Sequence, residues 1–323
     1  MSAGFTHLHV HTQYSLLDGA IRLGDLFDKC KEFGMGAVAI TDHGSMYGAL
    51  EFYTKAKKVG LKPIVGSELY IAPTDRTLKK KVDGQTAYHI VLLAMNKAGY
   101  QNLMKLSSIA QSEGFYYKPR IDMEVLEEYN EGIIALTACL HGQVPYRIMK
   151  DDMAGARKEA KALHKIFGDR LYFEIQENTI PEQQKVNNGL KKLAKEMGVK
   201  LVATNDCHYL TREEAHAHDV LLCIQTGKTV NDANRFRFSS DDYYFKSPES
   251  MRRAFNHCPE SIINTQEIVD RCNLELDFSD YYFPNFPVPE GQTPGAWIAD
   301  GTSGGNSAWA GAWTAAHERT VYP

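Results

Sequence analysis

No run of apolar residues in this sequence approaches the length of a membrane span, and none of its six cysteines stands in a CxxC pair. Cys30, Cys139, Cys207, Cys223, Cys258 and Cys272 are scattered, which argues against a zinc finger and against a secreted disulfide framework. The first residues lack the basic-then-apolar layout of a signal peptide. Charge of one sign is not in excess: the net value of −4 does not advertise nucleic-acid binding, though it leaves room for a local basic groove. No internal repeat is visible. A reduced, cytoplasmic protein without membrane partners is expected. What is present is a soluble composition, 43% hydrophobic and 24% charged over 323 residues, enough for one large domain or two ordinary ones.

Short β-rich runs alternate with amphipathic stretches. Strands are expected at residues 5–9, 36–41, 63–71, 89–95, 133–138, 171–176 and 201–204. Helical patterns fall at 23–33, 47–59, 100–112, 154–167 and 182–197, several closing on a glycine (Gly34, Gly60, Gly168, Gly198). Such alternation implies βα units and a largely parallel sheet, closed as a barrel or open and doubly wound. Functional residues then gather at the carboxyl ends of the strands. The basic stretch 79–86 reads as an exposed loop, and 112–124 (SEGFYYKPRIDME) as an aromatic and basic loop on the working face. Beyond residue 210 the strands stop, and helices are expected at 212–225, 247–255 and 261–272, with Pro248 suited to a first helical position after Ser247. The division expected is a barrel over 1–210, a helical extension over 211–290, and an atypical tail over 291–323. That tail holds Trp297, Trp309 and Trp313 and shows no periodicity.

The chemistry begins at His7, His9 and His11. In an extended chain these alternate positions share a face, and neutral imidazole is a common metal ligand. A lone histidine is more often a core or surface residue, so the other strands must be consulted. The first strand is followed by His9, His11 and Asp18; the second by Asp42 and His43. The third contains Glu68, and the fourth starts with His89. The fifth is followed by Cys139 and His141, the sixth contains Glu174, and the seventh is followed by Asp206 and His208. Asp206-x-His208 repeats the spacing of His9-x-His11. A mixed N, O and S donor set suits Zn²⁺, Mn²⁺ or Fe²⁺ better than Ca²⁺. So many donors exceed what one or two ions need if water is also bound, which points to three ions in a shared cage.

The segments HLHVHTQYSLLDG, ITDHGSMYGALEFY, KPIVGSELYIA, YHIVLLA, GYQNL, GFYYKPRID, LTACLHG and VATNDCHYL resemble the PHP (polymerase and histidinol phosphatase) domain. They are similar specifically to the PHP domains at the start of bacterial replicative DNA polymerase III alpha subunits. FRFSSDDYYFKSPESM, NTQEIVDRCNLEL and YYFPNFPVPEGQTP extend the resemblance to about residue 294. The polymerase palm and fingers have no counterpart in this sequence. The resemblance implies a distorted seven-stranded βα barrel with a trinuclear metal centre. Its ligand pattern falls on His9, His11, Asp18, His43, Glu68, His89, Cys139, Asp206 and His208, none of them missing. His7 stands where many PHP proteins have Asp and is expected to support the ligands, with Asp42 and Asn205. The resemblance further implies a metal-dependent 3′–5′ exonuclease acting on DNA 3′ ends, with replisome subunits as partners of the longer protein. Arg120 and Lys118 are expected to meet backbone phosphate, and Tyr14, Tyr117 or Tyr209 a terminal base. Two other readings stand beside it: a metal-braced scaffold without catalysis, and a stand-alone phosphoesterase of histidinol-phosphate type, against which the polymerase-like segments after residue 230 argue.

Overall fold

The computed structural model describes residues 4–16, 18–279 and 291. In chain order, α1 (Leu23–Glu32) leads to β1 (Ala37–Ile40), α2 (Ala49–Lys58), β2 (Lys62–Ile71) and β3 (Tyr88–Ala94). Next come α3 (Lys97–Ser112), β4 (Arg120–Ile121), α4 (Met123–Glu128), β5 (Ile133–Leu136), α5 (Gln143–Met149) and α6 (Met153–Phe167). Then follow β6 (Leu171–Gln176), α7 (Pro181–Met197), β7 (Lys200–Thr204), α8 (Ala215–Thr226), α9 (Pro248–Ala254) and α10 (Pro259–Arg271). The helix starts follow local chemistry. Asn96, Asp122, Asp152 and Ser247 each accept a hydrogen bond from a first-turn amide, and Pro248 occupies the first turn after Ser247.

The sheet runs β1-β2-β3-β5-β6-β7, with β4 paired to β2 off this path. All pairings are parallel except those of β3, which is antiparallel to both β2 and β5. The expected strand at 5–9 is not a ladder strand. The chain there is extended and makes isolated bridges only at Val10 and Thr12. It nevertheless closes the ring. On one side His7 O and Val10 O accept from Ala39 N and Thr41 N, both at 3.0 Å; on the other, His11 N donates to Cys207 O at 2.8 Å and Cys207 N to His9 O at 3.1 Å. The sheet is therefore a distorted barrel. The stretch read as a loop over 112–124 contains β4 and the start of α4, and α5 lies in a stretch for which no helix was expected.

The barrel interior is apolar: Leu8, Ile64, Val91, Leu93, Ile134, Leu136 and Val202 pack with Ile268, Val269 and Cys272 of α10, which covers one end. Full burial of each large aliphatic side chain contributes about 1.5–3 kcal/mol. Lys62 Nζ ties α10 to β2 through Val269 O at 2.7 Å, and Tyr172 donates to Glu267 at 2.7 Å. Residues 1–275 form one compact unit. No helix among the described residues is long and apolar enough to cross a membrane. The atypical tail expected at 291–323 lies, but for Gly291, outside the described residues.

A candidate metal centre at the barrel rim

The carboxyl ends of the parallel strands open on one rim, and the reversal of β3 brings its start to the same rim. Tyr70, near the end of β2, pairs with His89. The extended opening segment brings His9 and His11 there, and its turn brings Asp18. His43 follows β1, Glu68 lies in β2 and bridges to it, Cys139 follows β5, and Asp206 and His208 follow β7.

These nine side chains form one continuous mesh. Asp206 Oδ1 lies 3.2 Å from His9 Nε2 and 3.0 Å from His11 Nε2. Glu68 reaches His9 at 3.5 Å, His11 at 3.6 Å, His43 at 2.6 Å and His89 at 2.8 Å. Asp18 Oδ2 meets His43 Nε2 at 3.1 Å, His208 stacks on His11 with ring centroids 4.3 Å apart, and Cys139 Sγ is 3.8 Å from His89 Nδ1. Within the mesh, His9, His11 and Asp206 form one compact trio of donors, Glu68, His89 and Cys139 another, and His11, His43 and His208 a third.

The hydrogen-bond pattern shows which lone pairs face inward. Ser15 donates its only hydroxyl proton to Asp42 at 2.8 Å, so His11 Nδ1 must donate to Ser15 Oγ at 3.0 Å. The Nε2 lone pair of His11 then points at the carboxylates. His9 Nδ1 donates to Glu174 at 2.7 Å, with the same result, and His208 Nδ1 donates to the Asp206 carbonyl at 2.9 Å. His9 Nε2, His11 Nε2, Asp18 Oδ1, His43 Nδ1, Glu68 Oε2 and Asp206 Oδ1 are buried without a hydrogen bond among the described residues. Several approach one another at ion-pair distance yet are misaligned for hydrogen bonding, as donors disposed around common centres are. Lone pairs and carboxylates turned on one another repel unless positive charge lies between them. The residues thus fit divalent cations.

The electrostatics agree. Burial pulls His11 down to about 3, helped by His43 and His208, so its imidazole is neutral, the form that binds metal. Burial alone would raise Asp18, but the facing His43 and its neighbours outweigh it and hold the carboxyl at about 2. Glu68 likewise stays ionised despite burial, because His89, His43 and His9 surround it. Backbone strain collects here too: Ala138 and Asp206, beside Cys139 and after β7, adopt φ of 60° and 49°, at a cost on the order of 1–2 kcal/mol each. Gly44 has φ of 57°, and a Cβ there would sit 2.8 Å from Pro119 Cγ. The His43 turn therefore requires glycine.

Of the residues expected to support the ligands, Asp42 does so, while His7 and Asn205 bond elsewhere. His7 donates to Lys246 O at 2.8 Å and packs against Phe5 and Phe245, outside the mesh. Asn205 donates to the carbonyls of Asp242 and Tyr244, holding that segment against the β7 end. Asp42 supports His11 through Ser15. Glu174 orients His9 and also accepts from Gln176 and Thr204. Its sequence signal was a single carboxylate in the apolar strand LYFEIQ; Ser15 carried none. His141 lies beside Cys139 and stacks on His89, with centroids 5.3 Å apart.

Of the residues expected at substrate, Arg120 is buried, and its guanidinium is spent on the carbonyls of Gly114, Thr86, Arg76 and Leu78. It pins loops and does not face the rim opening. Tyr209 is buried against His218. Tyr14 and Lys118 do line an opening of about 150 Å³ that ends on Asp18 and His43, together with Tyr47 and Tyr70. Tyr14 donates to Glu51, and Lys118 Nζ lies 5.4 Å from the Tyr70 ring centre. Tyr117 is exposed.

A family profile described as "PHP domain" matches residues 7–178. The DNA polymerase III subunit alpha of Borreliella burgdorferi is 45% identical over 287 residues, covering 88% of this chain and 25% of that protein. The Thermus aquaticus subunit is 46% identical over 308 residues, covering 92% and 25%, and that of Deinococcus radiodurans 44% over 303, covering 90% and 23%. The chain spans about a quarter of the length of these relatives. Among solved structures, an amidohydrolase from Chromobacterium violaceum matches 63% of this chain and 87% of its own at 14% identity and a TM-score of 0.40, too loose a likeness to bear on the site.

Proposed function

Because the chain belongs to the PHP domain family, we propose that its rim cluster is a metal-dependent phosphodiesterase centre. We take its substrate to be the 3′ end of DNA, so that the chain is a 3′–5′ exonuclease proofreading for a bacterial replicative polymerase. The observation that carries this reading is the set of inward-facing donor atoms left without hydrogen bonds in the nine-residue mesh. Three divalent ions (Zn²⁺, Mn²⁺ or Fe²⁺) suit that many donors. His9, His11 and Asp206 would hold one, Glu68, His89 and Cys139 a second, and Asp18, His43 and His208 a third. Bound there, such ions supply hydroxide near neutral pH and stabilise charge on the phosphate oxygens.

The protein's own part is orientation and reception. Glu174, Ser15 and the Asp206 carbonyl fix the three imidazoles, so no reorganisation is needed at the moment of reaction. Lys118, exposed at the opening beside Tyr70, meets the phosphate chain, while Tyr14 and Tyr47 offer ring faces to bases. Hydrolysis forms a P–O bond from water and breaks the P–O3′ bond. It releases a 5′-mononucleotide and leaves a 3′-hydroxyl on the shortened strand. The reading implies a cytoplasmic protein, with residues 1–210 as the catalytic barrel, 211–290 leading towards a polymerase core, and replisome subunits as partners. Polymerisation is not proposed for this chain.

The test is metal content by mass spectrometry together with nucleotide release from a 3′-mismatched primer, in wild type, His11→Ala and Asp206→Ala. Each substitution is expected to lower release by about a hundredfold with loss of bound metal. Equal release by all three proteins would remove the mechanism. One observation favours a second reading: His9, His11 and Glu68 are each fully buried, so part of the mesh is beyond the reach of a large ligand and would brace the barrel. Unfolding on chelation, with no nuclease signal under Mn²⁺ or Zn²⁺, would favour that scaffold role.

A further inference from the structure

A second, larger recess lies beside the rim. It is a groove of about 510 Å³ between α8 and residues 237–241, whose lining includes His216, His218, Arg237, Phe238, Ser239 and Ser240. Pockets that receive small molecules run about 300–1,000 Å³. This groove is of that size, whereas the 150 Å³ opening at Asp18 and His43 is not. Two rings of its lining stand against the metal-binding mesh: His218 lies 5.6 Å from His208, and Phe238 packs edge-on against His208, with centroids 5.0 Å apart and planes at 82°. The same ring meets His218 at 4.8 Å, and His218 donates to the Asp18 carbonyl at 2.9 Å.

The charge in the groove is unevenly committed. Arg235 grips Asp219 through both carboxylate oxygens, at 2.5 and 2.6 Å. Arg237, two residues on, is exposed and, like His216, makes no hydrogen bond or close ion pair among the described residues, although both help from farther away to hold the Asp219 carboxyl below its usual range. Of the two acids in the lining, Asp219 is thus neutralised by Arg235, and Asp241 lies 3.7 Å from Arg212. A cationic fork, an aromatic ring and serine hydroxyls within one groove match a ligand with a phosphate, a flat base and a sugar.

We propose that this groove seats the 3′-terminal nucleotide of a DNA strand, the one released as the 5′-mononucleotide, with Arg237 on its phosphate and Phe238 against its base. The proposal rests on the phosphodiesterase reading of the rim. That phosphate is the scissile one, so in this arrangement it lies between Arg237 and His208, and the rest of the strand leaves past Tyr14 and Lys118.

The test is binding, which needs no turnover. Isothermal titration of dAMP and of deoxyadenosine into the whole chain, metal-free and with Mn²⁺, is compared for wild type, Arg237→Gln and Phe238→Ala, with Lys161→Gln on the exposed face of α6 as a control. Arg237→Gln is expected to weaken dAMP about tenfold while leaving deoxyadenosine unchanged. Phe238→Ala is expected to weaken both, and Lys161→Gln neither. No dAMP binding by wild type, the same affinity in all four proteins, or equal competition by inorganic phosphate would overturn the proposal. Primer cleavage is scored separately. A chain that binds dAMP through Arg237 yet cleaves nothing refutes the rim reading and keeps the groove. A chain that cleaves but binds dAMP equally in all variants does the reverse.

Discussion

Glu174 touches no expected ligand except His9, yet it decides how that imidazole stands. Its Oε1 accepts from His9 Nδ1, Gln176 Nε2 and Thr204 Oγ1. Exchange for glutamine keeps the volume but removes the charge and turns one acceptor into a donor. Glu174→Gln is expected to lose metal affinity by about 10- to 100-fold with little change in fold, which competition against a graded series of chelators will measure. Arg120 is the opposite case. Its guanidinium holds four carbonyls drawn from three separate stretches of chain. Arg120→Met is expected to cost roughly 2–4 kcal/mol in urea unfolding, because buried carbonyls lose a charged donor, while bound metal stays at the wild-type level. Retained stability in that variant would return Arg120 to the substrate.

At the scale of elements, α10 is the piece whose role reaches furthest. Glu267 on it accepts from Tyr172 at 2.7 Å and from Lys200 at 2.6 and 2.7 Å. Burial works against the ionised carboxylate, but Lys200 and Tyr172 outweigh it, so the folded-state pKa lies below the ordinary 4.5. A depressed carboxylate stabilises fully above its unfolded pKa and stops doing so as pH falls through its folded one. Glu267→Gln is therefore expected to be less stable than wild type at pH 7, with the gap closing below about pH 4, as parallel denaturation curves would register. The alternation of strand and helix was legible because apolar runs and capping residues are local. The paired spacings His9-x-His11 and Asp206-x-His208 were legible for the same reason. Strand direction was not, since a period of two reads alike both ways. His89 stood out in the sequence as the donor at the wrong end of its strand, and the antiparallel β3 accounts for it. Arg120 misled because its carbonyl partners are set by tertiary packing, which SEGFYYKPRIDME does not encode. Ser15 was silent because its position only matters once Asp42 and His11 flank it.

For the whole molecule, the ring closes between the opening segment and the residues after β7, and the contact of Cys207 with His7 joins positions 200 residues apart. Contacts so distant form late and slow folding. During synthesis His9 and His11 leave the ribosome about 200 residues before Asp206 and His208, which follow only when the barrel is nearly complete. The cluster is thus assembled from the two ends of the barrel's own sequence. Stalled nascent chains ending before residue 200 are expected to retain far less metal than chains ending beyond 275, a difference that ribosome pull-down with elemental analysis will detect. If the rim binds cations as proposed, their loading serves as a completion mark: a barrel that holds its full complement has finished being made.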